Sequence, residues 1–502
     1  MPYNLPGFAS ELRDTRMYLT NATTSGRDRI LILGTAVDGP VNIPVVVNRV
    51  DDADRLFGEY TGDSYGATLL PALHQALSAG AGEVRVMRVG GEYAKLTLKD
   101  EAENEVFEVR GQYPGVKYNG VKVEVAEGTD GKELIITDLL GVDHKYILKN
   151  YASYGSLAQA INSQANDASA VVVGAVGASV ELALASAETL AGGDDGINKT
   201  QEQLYTAMSD ALDLLVDYDV DIIVVAGLYV TVNGSSVGFE AANLLAKHCY
   251  EASQRVGERH GVIAVQPIEN PTLDAIKNTV DALAQSDVNL QHDSIVGSNG
   301  EPLDVGKYIS IVFAEPIYSD HKLGVYTSDG ASSYAGLITT LAPESATTNK
   351  VVNGVQGMRY ILSPAQLNNL ASKRFVTLRN RVGRGVVVTD GVTAARPGSD
   401  YGRLSTVRIV NAAIGVTREA TEPFIGEAGT PQHFNSMQTA IESGLSAMKM
   451  AGAIVDYRFT ILANPMDLAR GEAVIELELV PAFELRKIKT VVTVRASFDN
   501  AQ

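Results

Sequence analysis

Residues 29–47 read RILILGTAVDGPVNIPVVV, and the fold prediction starts from this stretch. The run RILIL at 29–33 is a compact apolar strand that ends at Gly34, and the glycines and prolines after it are typical of a rigid loop. Apolar residues then recur at helical spacing in Leu69–Ala79, and Val84–Val89 follows two glycines as a second strand. This order of strand, loop, helix and strand predicts an α/β domain.

The same alternation returns after the sequence GGDDG at 192–196, which is a turn-rich boundary. It continues in the order helix Glu202–Val216, strand Asp221–Ala226, helix Gly238–Gly257, strand Gly261–Pro267, helix Thr272–Gln285 and strand Tyr308–Ala314. Such alternation predicts a largely parallel sheet with helices on both faces. We therefore predict one α/β core formed by residues 29–90 plus 197–400.

The hydrophobic pattern of residues 91–196 differs from that of the segments on either side. Short alternating runs there predict strands at Lys95–Leu98, Val106–Arg110, Val121–Val125 and Glu133–Thr137. Turns such as Asp130-Gly131 separate them. This region is interpreted as a β-rich domain inserted into the α/β core.

The sequence of residues 401–485 predicts a third domain, of the α+β class. It contains the segment Arg403–Ile414, then a helix with Thr430 as N-cap and Pro431 at its first position, then strands near Phe459–Ala463 and Glu472–Val480. One face of the helix is apolar and consists of Phe434, Met437, Ile441, Leu445 and Met448. The opposite face is polar and includes Gln438, Glu442, Ser446 and Lys449; it is either a solvated surface or a docking surface.

Both ends of the chain contain strand-like segments without an evident partner. Residues 1–28 have the prolines and glycines of an extended arm, and residues 486–502 form a second arm. Unpaired backbone N–H and C=O groups need partners, which neighbouring copies of the chain can supply. The candidate linking residues are Arg16, Met17, Tyr18, Leu19, Thr20, Lys489, Thr490, Val491, Val492, Thr493 and Val494.

Composition limits the classes of function. The 502 residues suggest about three domains. The net charge of −19 argues against sequence-independent binding of nucleic acid, although residues 351–502 hold 17 Lys and Arg against 13 Asp and Glu. This asymmetry suggests that different parts face different partners, or only an uneven solvated surface. A single cysteine, Cys249, excludes an internal disulfide framework, and the sequence predicts neither a membrane span nor a secretion signal.

The sequence offers little support for catalysis. It has no phosphate-loop or dinucleotide-binding motif and no histidine cluster with metal-ligand spacing, so we predict no cofactor, no metal and no catalytic residue. A subtilisin-type hydrolase would use Asp221, His260 and Ser332 or Ser333, which occur in the order Asp, His, Ser. The sequence around each of them departs from the hydrolase motifs. A hydrolase and an α/β binding module are kept as alternatives.

Several short motifs occur in an order that resembles contractile tail sheath proteins of phages and phage-like injection particles. They are Gly34–Pro40 with Pro44, Phe57-Gly58, Gly80–Val89, the P-G-x-x-x-N turn in Tyr113–Gly120, the G-G-x-D-G in Ala191–Gly196, Ser332–Gly336, Arg403 with Arg408-Ile-Val, the helix at Thr430, and Gly452–Tyr457. Each motif is short, but the resemblance, carried by their shared order and spacing, covers essentially the whole chain.

The resemblance implies a subtilisin-like core without the catalytic triad, and no enzymatic activity. It implies hexameric rings stacked around a tail tube, which contract to drive the tube through a cell envelope. Partners would be further copies of the chain, the tube protein, and baseplate and tail terminator proteins. The location would be the virion tail, assembled in the host cytoplasm. The two arms would add strands to adjacent subunits, and the basic C-terminal third would face the tube.

Overall fold

The computed structural model of the chain describes residues 28–58, 66–164, 166–174, 179–296, 300–320, 324–462 and 471–486. Its strands are β1 Ile30–Gly34, β2 Val45–Val47, β3 Val84–Arg88, β4 Lys95–Lys99, β5 Glu105–Gly111, β6 Lys122–Gly128, β7 Gly131–Thr137, β8 Asp143–Ile147, β9 Ala168–Val172, β10 Ala185–Thr189, β11 Ile222–Asn233, β12 Ser236–Gly238, β13 His260–Val265, β14 Gln291–Val296, β15 Pro302–Asp304, β16 Ile309–Phe313, β17 Pro316–Asp320, β18 Gly324–Thr327, β19 Val355–Met358, β20 Phe375–Arg381, β21 Gly385–Val388, β22 Ile454–Leu462 and β23 Val474–Pro481.

Its α-helices are α1 Val50–Phe57, α2 Leu69–Ala79, α3 Tyr154–Asn162, α4 Gln201–Leu214, α5 Glu240–Ser253, α6 Leu273–Gln285, α7 Ala331–Ile338, α8 Pro364–Ser372, α9 Leu404–Thr421 and α10 Pro431–Ala451. The mixed α/β architecture with several separate sheets agrees with the fold class expected from the sequence.

The largest sheet has nine strands in the order β2-β3-β1-β11-β13-β16-β20-β21, with β12 paired to β11. The six strands from β3 to β20 in this order run parallel. The short strands β2, β12 and β21 are antiparallel to their neighbours. The predicted parallel sheet is therefore present, with antiparallel strands added at its margins.

Strand β1 shows why the sheet is covered on both faces. All five of its residues are buried. Ile30 and Ile32 join an apolar cluster with α2 and α7, whereas Leu31 and Leu33 join a second cluster with α4, α5 and α6. Because side chains alternate between the faces of a strand, an unbroken apolar run such as ILIL requires apolar partners on both sides.

Several predicted elements have different extents in the structure, among them the strand that follows Asp221 and the segment Arg403–Ile414. Strand β11 continues to Asn233, seven residues beyond the predicted end at Ala226, because Leu228 and Val230 are buried and the chain passes through Gly227 in a left-handed conformation. The register with β13 shifts at this point. The segment Arg403–Ile414 forms the first part of the longer helix α9.

The region 91–196 contains two sheets, β10-β6-β7-β8 and β4-β5-β9, with helix α3. Its apolar cluster includes Phe107, Val123, Ile136 and Leu157 and is separate from the two clusters of the large sheet. Helix α3 was not expected from the sequence. It begins with a capping box in which Ser153 and Ser156 each accept a hydrogen bond from the backbone of the other.

Arg88 lies where the chain enters this region from β3, and its side chain is fully buried. Its guanidinium donates to the carbonyls of Gly39 at 2.9 Å, Pro114 at 2.8 Å and Asp195 at 3.0 Å. Close by, a Cβ on Gly193 would lie 2.4 Å from the carbonyl of Gly115, so this approach requires glycine. The P-G-x-x-x-N and G-G-x-D-G motifs thus form one connection between the inserted region and the large sheet.

Candidate assembly surface

The C-terminal helices α9 and α10 and the strands β22 and β23 share one apolar cluster. Its buried members include Ile409, Ala413, Ile441 and Leu445. Helix α10 begins as predicted: Thr430 accepts a hydrogen bond from the backbone N–H of His433 at 3.3 Å, and Pro431 occupies the first turn. The helix therefore presents its apolar face to the cluster and its polar face outward.

Strands β22 and β23 form a two-stranded antiparallel sheet that packs on this cluster. Its inward side chains are half-buried: Tyr457, Phe459, Ile461, Ile475, Leu477 and Leu479. Within the part of the chain that the structure describes, neither strand pairs with a third. An unpaired strand edge presents backbone N–H and C=O groups to which a further strand can bond.

The outward face of this sheet mixes charged and apolar side chains. Arg458 on β22 forms an ion pair with Glu478, which lies opposite on β23. Thr460 faces Glu476, and Leu462 faces Val474 at the end of the pairing. Because neither charge nor apolar area dominates, this face alone does not identify a partner.

Of the four side chains predicted to face a tube, Gln438, Glu442 and Lys449 are exposed and Ser446 is half-buried. Two of them bond to strand β22. Tyr457 donates a hydrogen bond of 2.7 Å to Glu442, and burial together with this carboxylate raises the pKa of the phenol. Lys449 donates to Asp456 at 2.8 Å, which lowers the pKa of that carboxyl. The polar face is therefore continuous with the edge of β22.

Gln438 lies one turn before Glu442, at a shallow cleft of about 500 Å³. Phe434 and residues Phe459 to Ile461 form the rest of the lining. The predicted linking residues, Arg16–Thr20 and Lys489–Val494, lie outside the described residues.

Two groups of charged residues that the sequence analysis did not single out as a site lie where the predicted arms begin. Arg408 on α9 donates to Asp28 at 2.7 Å. Arg403, which precedes α9, donates to Asp390 at 2.6 Å and lies 3.6 Å from Glu484. Arg486 also binds Asp390. The only sequence signal for these contacts was the pair Arg403 and Arg408 in a helix start that otherwise carries no charge.

The residues of the hydrolase alternative make separate contacts. Asp221 forms an ion pair with Arg29 at 3.0 Å. The imidazole of His260 is 2.9 Å from the hydroxyl of Ser310, and both side chains are buried. Ser333 shares a hydrogen bond of 2.9 Å with the hydroxyl of Tyr318, and Ser332 is buried. Among the described residues, these contacts therefore do not join an aspartate, His260 and either serine into a relay.

Neither a family model nor a curated protein matches the sequence. Solved structures do match. A sheath tail protein from Listeria innocua is 15% identical with a TM-score of 0.58, and the match covers 93% of this chain and 99% of that one. A sheath tail protein from Desulfitobacterium hafniense is 12% identical with a TM-score of 0.53, covering 97% and 98%.

The contracted helical sheath of the anti-feeding prophage is 11% identical with a TM-score of 0.51, covering 98% of this chain and 99% of that one. In the described part of the chain, no helix combines the length and apolarity needed to cross a membrane. The resemblance suggested by the short sequence motifs is confirmed by the likeness in three dimensions. The chain has the fold of contractile tail sheath proteins.

Proposed function

We propose that the chain is a structural subunit of a contractile tail sheath. The observation that carries this proposal is the extent of the structural match, which includes 93–98% of this chain and nearly all of each sheath protein. A shared enzyme domain would match only a part of such proteins. The proposed role is structural rather than enzymatic, and the location is the tail of a virion or an injection particle assembled in the host cytoplasm.

The proposed assembly is a stack of hexameric rings around a tail tube, with baseplate and tail terminator proteins at the ends. The edges of β22 and β23, which pair with no third strand among the described residues, support a role in linking copies. Residues 16–20 of one neighbour and 489–494 of another would add strands to these edges. Each backbone hydrogen bond would contribute only about 0.5–1.5 kcal/mol, but the contributions add up over a lattice.

We propose that the polar face of α10, with Gln438, Glu442, Ser446 and Lys449, contacts the tube. The exposure of Gln438, Glu442 and Lys449 supports this placement. Because Glu442 and Lys449 are already bonded to β22, they would offer the tube a fixed pattern of charge. A contact made by exposed charges is weak and sensitive to salt, as release of a sliding tube requires.

Contraction in this proposal uses no nucleotide, because the sequence contains no nucleotide-binding loop. The free energy would be stored when assembly on the tube traps an extended lattice, and a trigger at one end would release neighbouring rings in sequence. We further propose that the α/β core is related to subtilisin, which the largely parallel sheet with helices on both faces supports.

Electron microscopy of the purified protein tests the proposal. Rings or hollow cylinders are expected, with shortening of extended cylinders that does not depend on ATP. Dispersed single chains that react with a serine-directed probe would instead favour the hydrolase. Dispersed chains without such reactivity would favour the binding module.

A further inference from the structure

A cleft of about 830 Å³ lies where the chain leaves the C-terminal ends of helices α6 and α8, and we call it the α6–α8 cleft. Its walls include residues 286–289 after α6, the start of strand β15 and the end of α8. A volume of this size is typical of sites that bind small molecules. Five charged side chains line it: Lys373, Arg374, Arg396, Asp287 and Glu301.

Two of the three cations already have acidic partners. Lys373 donates to Asp287 at 3.2 Å, and Arg396 donates to Glu301 at 3.0 Å. Each of the two cations also donates to one backbone carbonyl. The side chains of Asp287 and Glu301 are 94% and 64% exposed, so water screens both ion pairs. These contacts hold Lys373 and Arg396 at the cleft and neutralise them only in part.

The third cation, Arg374, is held differently. Its Nη2 donates to the carbonyl of Arg396 at 3.1 Å, and among the described residues no carboxylate lies within ion-pair distance of it. Its Nη1 lies against Gly402, where a Cβ would come within 2.7 Å of that nitrogen. Burial, followed by the charge of Arg403, lowers the pKa of Arg374. An anion bound beside the guanidinium would therefore stabilise its charged form.

The backbone of Arg374 is strained. This residue follows the C-cap of α8, and its φ of 75° is left-handed. Its N–H donates to the carbonyl of Ala371 at 3.2 Å, which completes the end of the helix. Glycine is favoured at this position, because a Cβ makes the left-handed conformation costly. Such strain occurs where a particular side chain is kept for a function.

We propose that the α6–α8 cleft binds an oxyanion, the phosphate or carboxylate group of a small molecule, and that Arg374 is its principal ligand. The hydrogen bond to Arg396 uses one of the five N–H groups of the guanidinium, and a pair of the others matches two oxygens of such an anion. Lys373 and Arg396 add positive charge beside it. This binding site is additional to the proposed structural role and does not depend on it.

Equilibrium dialysis of the full-length chain against radiolabelled inorganic phosphate or malonate, at constant ionic strength, tests the proposal. The unchanged chain is expected to bind at least one of the two anions, and the preferred anion identifies the class of ligand. Arg374→Gly is the decisive variant, because glycine suits the left-handed backbone. Its affinity for the anion is expected to fall at least tenfold, while its midpoint of urea unfolding stays the same or rises. Arg374→Asn, which also tolerates this conformation, should behave alike.

Arg384→Gln is the matched control. It removes an exposed arginine between β20 and β21, outside the cleft, and should leave the affinity unchanged. Arg374→Lys keeps the charge without the planar fork, so weakened binding is expected.

Three results would overturn the site: neither anion binds, Arg374→Gly binds as tightly as the unchanged chain, or Arg384→Gln weakens binding as much as Arg374→Gly does. The last result would indicate an effect of overall charge. Electron microscopy of the dialysed samples records separately whether cylinders form. Anion binding by a chain that never assembles would contradict only the proposed function.

Discussion

The guanidinium of Arg88 donates a hydrogen bond of 3.0 Å to the carbonyl of Asp195, which joins the strand leading into the inserted region to the turn that closes it. The same side chain binds two further carbonyls and is fully buried. Burial lowers its pKa, so the charge is retained against a desolvation penalty. One arginine thus holds the two passages of chain between the large sheet and residues 91–196.

Replacing Arg88 by methionine is expected to lower the free energy of unfolding by about 2–4 kcal/mol, because two buried carbonyls and one half-buried carbonyl lose a charged donor. Arg88→Lys should recover only part of the loss, since an ammonium on a shorter reach cannot serve all three carbonyls. Urea unfolding measures both variants. Arg379→Met, which changes an arginine on β20, serves as a comparison. An unfolding midpoint for Arg88→Met equal to that of the unchanged protein would show that Arg88 is not essential to the connection.

Much of the fold could be predicted from local pattern. Helix α2 has the predicted bounds, and Thr430 caps α10 as expected, because apolar spacing and capping chemistry are local properties of the sequence. Helix α3 was missed, since its residues Tyr154–Asn162 carry only a short apolar stripe within a β-rich region. The extension of β11 past Gly227 was missed because glycine usually indicates a turn.

The contacts of the candidate site could be predicted from the sequence less completely than the fold. The polar face of α10 follows from helical periodicity, but its bonds from Glu442 to Tyr457 and from Lys449 to Asp456 depend on how the strands pack against the helix. The pairing of Asp28 with Arg408 joins residues 380 positions apart. No periodicity predicts such contacts, because they are set by tertiary packing.

Acid is expected to destabilise the chain through His260. Burial lowers the pKa of this imidazole to about 3, and the nearby Arg408 acts in the same direction. The unfolded state binds a proton as the pH falls below about 6.5 while the folded state does not, so stability is lost between about pH 6.5 and pH 3. The contribution is about 1.4 kcal/mol per pH unit.

His260→Asn keeps a polar group beside Ser310 and removes the titration, so its unfolding free energy should depend less steeply on pH than that of the unchanged chain. Urea midpoints at pH 7 and pH 5 give the comparison. Ser310→Ala is the control: it removes the hydroxyl beside the imidazole but keeps the burial and the Arg408 charge that lower the pKa of His260, so the steep pH dependence should remain. Equal slopes for His260→Asn and the unchanged chain would contradict the assignment.

Lys449→Glu is expected to weaken co-sedimentation with purified tubes, because it reverses a charge on the proposed tube-facing surface. Asp456→Ala is the informative partner variant. It removes the oxygen that accepts from Lys449 but leaves the positive charge, so it should retain tube binding. Lys277→Glu makes the same charge change on α6 and should have no effect. Loss of binding in Asp456→Ala as well would assign the effect to the broken bond rather than to the charge.

Removal of residues 489–502 is expected to abolish cylinders while leaving single chains folded. The reason is that β22 and β23 would lose a strand supplied by a neighbour, whereas the apolar cluster beneath them is formed within one chain. Removal of residues 496–502 alone keeps the strand-like segment 489–494 and should permit assembly. Electron microscopy records cylinders, and circular dichroism records folding. Normal cylinders from the longer truncation would refute the linking role of residues 489–494. They would show that assembly does not require this segment to add a strand to the sheet of β22 and β23.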